Sequence, residues 1–126
     1  MSISPLAPDS FRDMPPVAGL SLATAATGMK YQGRDDVLLM CATPGSHFAG
    51  LFTRSDTAAA PVQWSQNRLA EGVCQTSLAA ILTNAGNANA FTGGKGHQAT
   101  MATADALAKA GVILEDRQDG TVWRRS

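Results

Sequence analysis

The stretch from Leu78 to Gly96, LAAILTNAGNANAFTGGKG, constrains this chain more than any other. Its opening, Leu78 to Leu82, is a continuous apolar run of the length of a buried strand. It then gives way to Asn, Ala and Gly and ends on Gly93-Gly94-Lys95-Gly96. Beyond it, Ala99, Ala102, Ala106, Leu107 and Ala110 fall on one helical face, which predicts a helix over Gln98 to Ala110 stopped by Gly111. Strand, glycine-rich polar loop and helix is how α/β proteins hold a ligand site at the end of a sheet.

The rest of the chain reads around that unit as an α/β (α+β) domain. Residues 1–16 contain Pro5, Pro8, Pro15 and Pro16, which remove backbone donors and fix φ. They are expected to form an extended arm anchored by Phe11 and Met14. Leu20 and Leu22 alternate with Ser21, the period of a strand, within Val17–Ala26. Asp36–Cys41, DVLLMC, reads as a buried strand. Thr43-Pro44-Gly45-Ser46 is a turn signal, so His47–Thr53 is expected to pair back on it as a hairpin. Ala60-Pro61-Val62 reads as extended, because proline biases its predecessor away from α. Ser65 is the expected N-cap of a short helix over Gln66–Ala70, closed by Gly72. From Val112 to Ser126 the pattern loses its period, and residues 112–126 read as a divergent tail after a domain over 17–111.

Composition excludes several function classes. Ten Lys+Arg balance ten Asp+Glu, so no basic excess points to a nucleic-acid partner. No apolar run approaches the ~20 residues of a membrane span. Met1-Ser2-Ile3-Ser4-Pro5 lacks the basic and apolar regions of a signal peptide. Cys41 and Cys74 form no CxxC pair and read as reduced thiols, so the expected location is cytoplasmic.

The residues suited to contact a ligand are Asn84, Gly86, Asn87, Asn89, Thr92 and Gly93. Each asparagine offers an acceptor and a donor, and glycines let backbone N–H groups face an anion at a helix start. The same asparagines also suit hydrogen bonds within their own turn. A phosphate-binding P-loop does not fit: the glycine it needs is Asn89, and Gly96 stands where Ser or Thr belongs. His47, His97, Cys41 and Cys74 lack metal-ligand spacing, so no metal site is predicted. Thr83 and Thr92 carry hydroxyls with no base near them in sequence.

Asn84 to Gly93, NAGNANAFTG, resembles the NSGNANACTG-type motif of the ornithine acetyltransferase family, the bifunctional ArgJ proteins of arginine biosynthesis. Pro15–Gly19 with Leu22–Ala25, Ala49–Arg54 (AGLFTR) and Ala59–Val62 (AAPV) resemble further family segments in the same order. The resemblance covers roughly Pro5 to Ala110, the N-terminal portion of the family. It implies part of a four-layer αββα sandwich, a mixed sheet with helices on one face. It implies acetyl transfer from N-acetylornithine to glutamate, with acetyl-CoA as a further substrate in some members and no resident cofactor. It also implies assembly of α and β chains in a heterotetramer. Family members cleave themselves between Ala and Thr, and the new N-terminal Thr is the nucleophile, with its own amine as base.

The sequence departs from the family after Ala110, where it reads GVILEDRQDGTVWRRS. It contains neither the Ser-Thr-Gly oxyanion motif nor the Ala-Thr cleavage segment, so no catalytic residue is assigned. The expectation is a truncated or frameshifted N-terminal fragment, inactive alone, with a foreign tail from near Gly111 to Leu114. The alternative is a small non-catalytic binding or regulatory module that pairs with an intact homologue.

Overall fold

The computed structural model describes residues 5–6, 8–10, 12–72, 76, 78–86 and 88–115. In chain order the elements are β1 (Leu20–Ala25), β2 (Val37–Ala42), α1 (Ala60–Glu71), β3 (Ala79–Asn84) and α2 (Gly93–Glu115). The three strands form one sheet in the order β1-β2-β3, antiparallel at both junctions. The expected mixed sheet is therefore an antiparallel one among the described residues. The strands expected within Val17–Ala26, over Asp36–Cys41 and from Leu78 lie within three residues of these bounds, because each carries its own apolar run.

β2 (VLLMCA) is central, and every one of its residues is half-buried. Its register places Leu38 and Met40 on one face with Leu20, Leu22 and Ile81. Val37, Leu39 and Cys41 share the other face with Ala23, Ala25 and Leu82. Both edges of β2 are thus occupied, by β1 and by β3. That is why the hairpin expected over Asp36–Thr53 does not form: His47–Thr53 has no free edge of β2 to join and carries no ladder. Phe48 and Phe52 are half-buried instead, and a Cβ on Gly50 between them would lie 3.1 Å from Leu69 Cδ2 of α1.

The helices also correct the sequence expectation. α1 begins at Ala60, not after Ser65, with Pro61 in its first turn, where the missing N–H removes no helical bond. Gly72 closes it as expected, at φ 86, with its N–H donating to Leu69 O at 3.2 Å. α2 starts on Gly93 rather than near Gln98 and runs through Gly111 to Glu115. A helix interior tolerates glycine at a cost of about 1 kcal/mol against alanine, so Gly111 does not enforce a stop. Among the described elements, the helices pack on each other and the strands on one another. No described helix is long and apolar enough to cross a membrane. Met14, an expected anchor of the arm, is 82% exposed, and Phe11 lies outside the described residues.

Candidate functional site

The loop between β3 and α2 is fixed at both ends by hydrogen bonds made largely by its main chain. At the β3 end, Ala85 N donates to Asp36 O at 2.8 Å, and Asn84 Nδ2 donates to Met29 Sδ at 3.5 Å. Gly86 has φ 103, and a Cβ there would sit 2.5 Å from Lys30 Cβ. Both its conformation and the lysine stem lying over it require glycine. Asn87 lies outside the described residues.

At the α2 end, Asn89 O accepts from Ala60 N at 3.4 Å and from Thr92 Oγ1 at 3.0 Å. This one carbonyl joins the starts of both helices. Asn89 Nδ2 donates to Thr100 Oγ1 at 3.5 Å, and Thr100 Oγ1 donates to Gly96 O at 2.9 Å. Asn89 and Phe91 both sit at positive φ, 46 and 55. Asparagine tolerates that region; phenylalanine adopts it at a cost of about 1–3 kcal/mol. Such strain persists where surrounding contacts over-determine the backbone, and it clusters at binding sites.

Between the two helix starts lies a cavity of 260 Å³. Asp56, Thr57, Ala58, Ala60 and Gln63 line it from the α1 side, and Asn89, Phe91, Thr92, Gly93 and His97 from the α2 side. Gln63 Nε2 donates to Ala58 O at 2.7 Å and holds the α1 side in place. Neither helix has an acidic residue in its first turn, and Ala59, the N-cap of α1, makes no side-chain cap. Two helix N-termini therefore border the cavity, and their dipoles favour negative charge there, although at α1 the donors are already used, Ala60 N by Asn89 O and Val62 and Gln63 N by Ala59 O. Asp56 is the acidic residue of this lining and works against that preference.

The cavity gathers Asn89, Thr92 and Gly93 of the expected site, whereas Asn84 and Gly86 contact the β1–β2 connection instead. Thr92 serves packing: its hydroxyl donates to Asn89 O and occupies the space above Gly96, where a Cβ would lie 1.9 Å from Oγ1. Sequence reading missed the α1 side, because it treated Ala60-Pro61-Val62 as extended. Phe91, a further lining residue outside the expected set, is 87% exposed. The available signal was AAPV itself, since proline in a first helical turn marks a helix start.

Among the described residues, the carboxyl with a clear shift belongs to Asp36. Backbone N–H groups of Thr27, Lys30 and Met29 and the Thr27 hydroxyl hold its pKa down to about 2 against the opposing effect of burial, the Thr27 N–H contributing most. Cys41, a free half-buried thiol on β2, has its pKa raised by burial. Cys74 lies outside the described residues. Among the described residues, no group of three or more His, Cys, Asp or Glu is arranged to hold a metal ion.

Known proteins resemble the chain over most of its length. The sequence profile of the ArgJ family matches residues 21–119. The arginine biosynthesis bifunctional protein ArgJ of Nitrobacter winogradskyi is 51% identical over 109 residues, 86% of this chain and 26% of the relative. That of Rhizobium meliloti is 49% identical over 109 residues, 86% of this chain and 25% of the relative. The chain thus spans about a quarter of the length of these relatives. Among solved structures, ornithine acetyltransferase from Mycobacterium tuberculosis, complexed with ornithine, superposes with a TM-score of 0.67. It is 40% identical and covers 83% of this chain and 51% of its own.

Proposed function

This chain belongs to the ArgJ family, and from that membership we propose that it forms the N-terminal part of a glutamate N-acetyltransferase of arginine biosynthesis. The reaction is acetyl transfer from N-acetylornithine to glutamate through an acetyl-threonine enzyme. The nucleophilic threonine and the oxyanion donors come from the portion of the family polypeptide outside this sequence. The β3–α2 loop and the paired helix starts form one wall of the substrate site. Glutamate and N-acetylornithine both carry carboxylates, the charge that two helix N-termini favour.

The observation that carries this reading is the likeness, at 40% identity and a TM-score of 0.67, to an enzyme solved with ornithine bound. The same reading makes the sheet one layer of a four-layer αββα sandwich and residues 17–111 the family part of the chain. It also assigns the complete enzyme to a cytoplasmic heterotetramer of α and β chains, with acetyl-CoA as a further substrate and no bound cofactor.

The test is complementation. The chain is co-expressed with the remaining part of an ArgJ polypeptide, and acetyl transfer from N-acetylornithine to glutamate is measured. The expected result is turnover by the complex and none by the chain alone. Turnover by the isolated chain, or a stable complex without turnover, would overturn the proposal.

A further inference from the structure

We infer that Asp36 is the positioning residue for the Asn84–Gly86 end of the ligand loop, acting through the turn Thr27–Lys30; the inference rests on the reading of that loop as a wall of the acetyl-transfer site. Asp36 is the buried polar residue among those described, 4% exposed. Both carboxylate oxygens are filled. Oδ1 accepts from Thr27 N at 2.7 Å and Thr27 Oγ1 at 2.8 Å. Oδ2 accepts from Met29 N at 2.8 Å and Lys30 N at 3.3 Å. The main chain of Asp36 is committed as well: its N–H donates to Ala25 O at 3.0 Å, and its carbonyl accepts from Ala85 N at 2.8 Å. One residue therefore ties together the end of β1, the turn that follows it and the first residue of the loop.

The turn bears on the loop through two side chains. The Lys30 stem lies over Gly86, and Met29 Sδ accepts from Asn84 Nδ2. Carboxylate geometry fixes the turn, the turn fixes Lys30 and Met29, and these cover the loop. An amide at position 36 keeps its one acceptor oxygen on the N–H groups of Met29 and Lys30 and turns its NH₂ toward Thr27, whose hydroxyl can accept but whose N–H cannot. Donor then faces donor at Thr27 N, the negative charge is gone, and the turn is held more weakly. The charged side chains in the same connection are Lys30, Arg34 and Asp35. The Ala25 end of β1 and Asn84–Gly86 bring no titratable group to it. Arg34 is engaged with the Tyr31 ring, 3.7 Å from its centroid.

The test is hydrogen exchange of the full chain by mass spectrometry, with Asp36→Asn, Lys30→Met and Lys30→Gly compared with wild type. Asp36→Asn is expected to speed exchange over residues 84–86 by roughly tenfold and to leave residues 93–110 within about twofold. Lys30→Met keeps the stem and retains protection, whereas Lys30→Gly loses it. In the complex with the rest of the enzyme, Asp36→Asn raises KM for the amino-acid substrate roughly tenfold with kcat within about twofold, the signature of lost binding rather than lost chemistry. Unchanged exchange at 84–86, an equal rise throughout the chain, or a fall in kcat with KM unmoved would overturn the inference. A wild-type complex without turnover rejects the acetyl-transfer reading instead, and the exchange result still decides the role of Asp36.

Discussion

Gly96 lies in the first turns of α2, where alanine is worth about 1 kcal/mol more than glycine in an open helix. Here the order reverses, because an added Cβ would lie 1.9 Å from Thr92 Oγ1 and 3.2 Å from Asn89 O. Gly96→Ala should destabilise the chain by about 1–3 kcal/mol. Thr92→Ala, which removes the hydroxyl, should recover most of that loss in the double variant; denaturant titration of the four species checks the cycle. Asp36 gives a pH signature of its own. Its folded pKa of about 2 lies below its ordinary 3.8. Its contribution is therefore fully present above pH 5, declines as pH falls below about 4, and is gone once pH drops through about 2. Thermal melts from pH 6 to pH 2 should show that decline, and Asp36→Asn should flatten this component of it.

At the scale of elements, the start of α1 is capped by main chain rather than by a side chain: Ala60 N donates to Asn89 O, and Val62 and Gln63 N donate to Ala59 O. Ala59 has the extended backbone of an N-cap, φ −63 and ψ 153, but no side chain to use it. Ala59→Ser, whose hydroxyl can share the Val62 N–H that Ala59 O now accepts at 3.0 Å, should stabilise the helix by at most about 0.5 kcal/mol, read as a small rise in Tm. The ion pair of Arg68 with Glu71 near the other end is exposed and worth well under about 1 kcal/mol. The strands were legible in sequence because each has its own apolar run between turn residues, as LSLATA and VLLMCA show. The β3–α2 loop was legible for the converse reason, its lack of bulk. The start of α1 was not, because Pro61 supports an extended reading and a first helical turn equally well. The failure of His47–Thr53 to pair was not legible either. It depends on β3, distant in sequence, already occupying the second edge of β2. The role of Asp36 is not legible in the sequence, because its four donors come from residues whose convergence only the folded connection reveals.

For the molecule as a whole, the weak point is burial. Ala60 is the buried apolar residue among those described, and Leu22 and Ile81 remain 49% and 45% exposed on one face of the sheet. Fully covering a leucine or isoleucine is worth about 1.5–3 kcal/mol, so this face gains substantially from any apolar cover. The purified chain should self-associate, measured by light scattering on a sizing column. Leu22→Lys with Ile81→Lys should shift it toward monomer while retaining its circular dichroism spectrum. The position of β2 between a neighbour close in sequence and one far away also sets an order of events. During synthesis, the β1–β2 hairpin is complete while α1 and β3 are still to come, so one edge of β2 leaves the ribosome before its partner exists. At ordinary elongation rates that interval is on the order of seconds. For that time the nascent chain carries an apolar, uncharged strand with open backbone groups, the kind of segment for which cells keep chaperones at the tunnel exit.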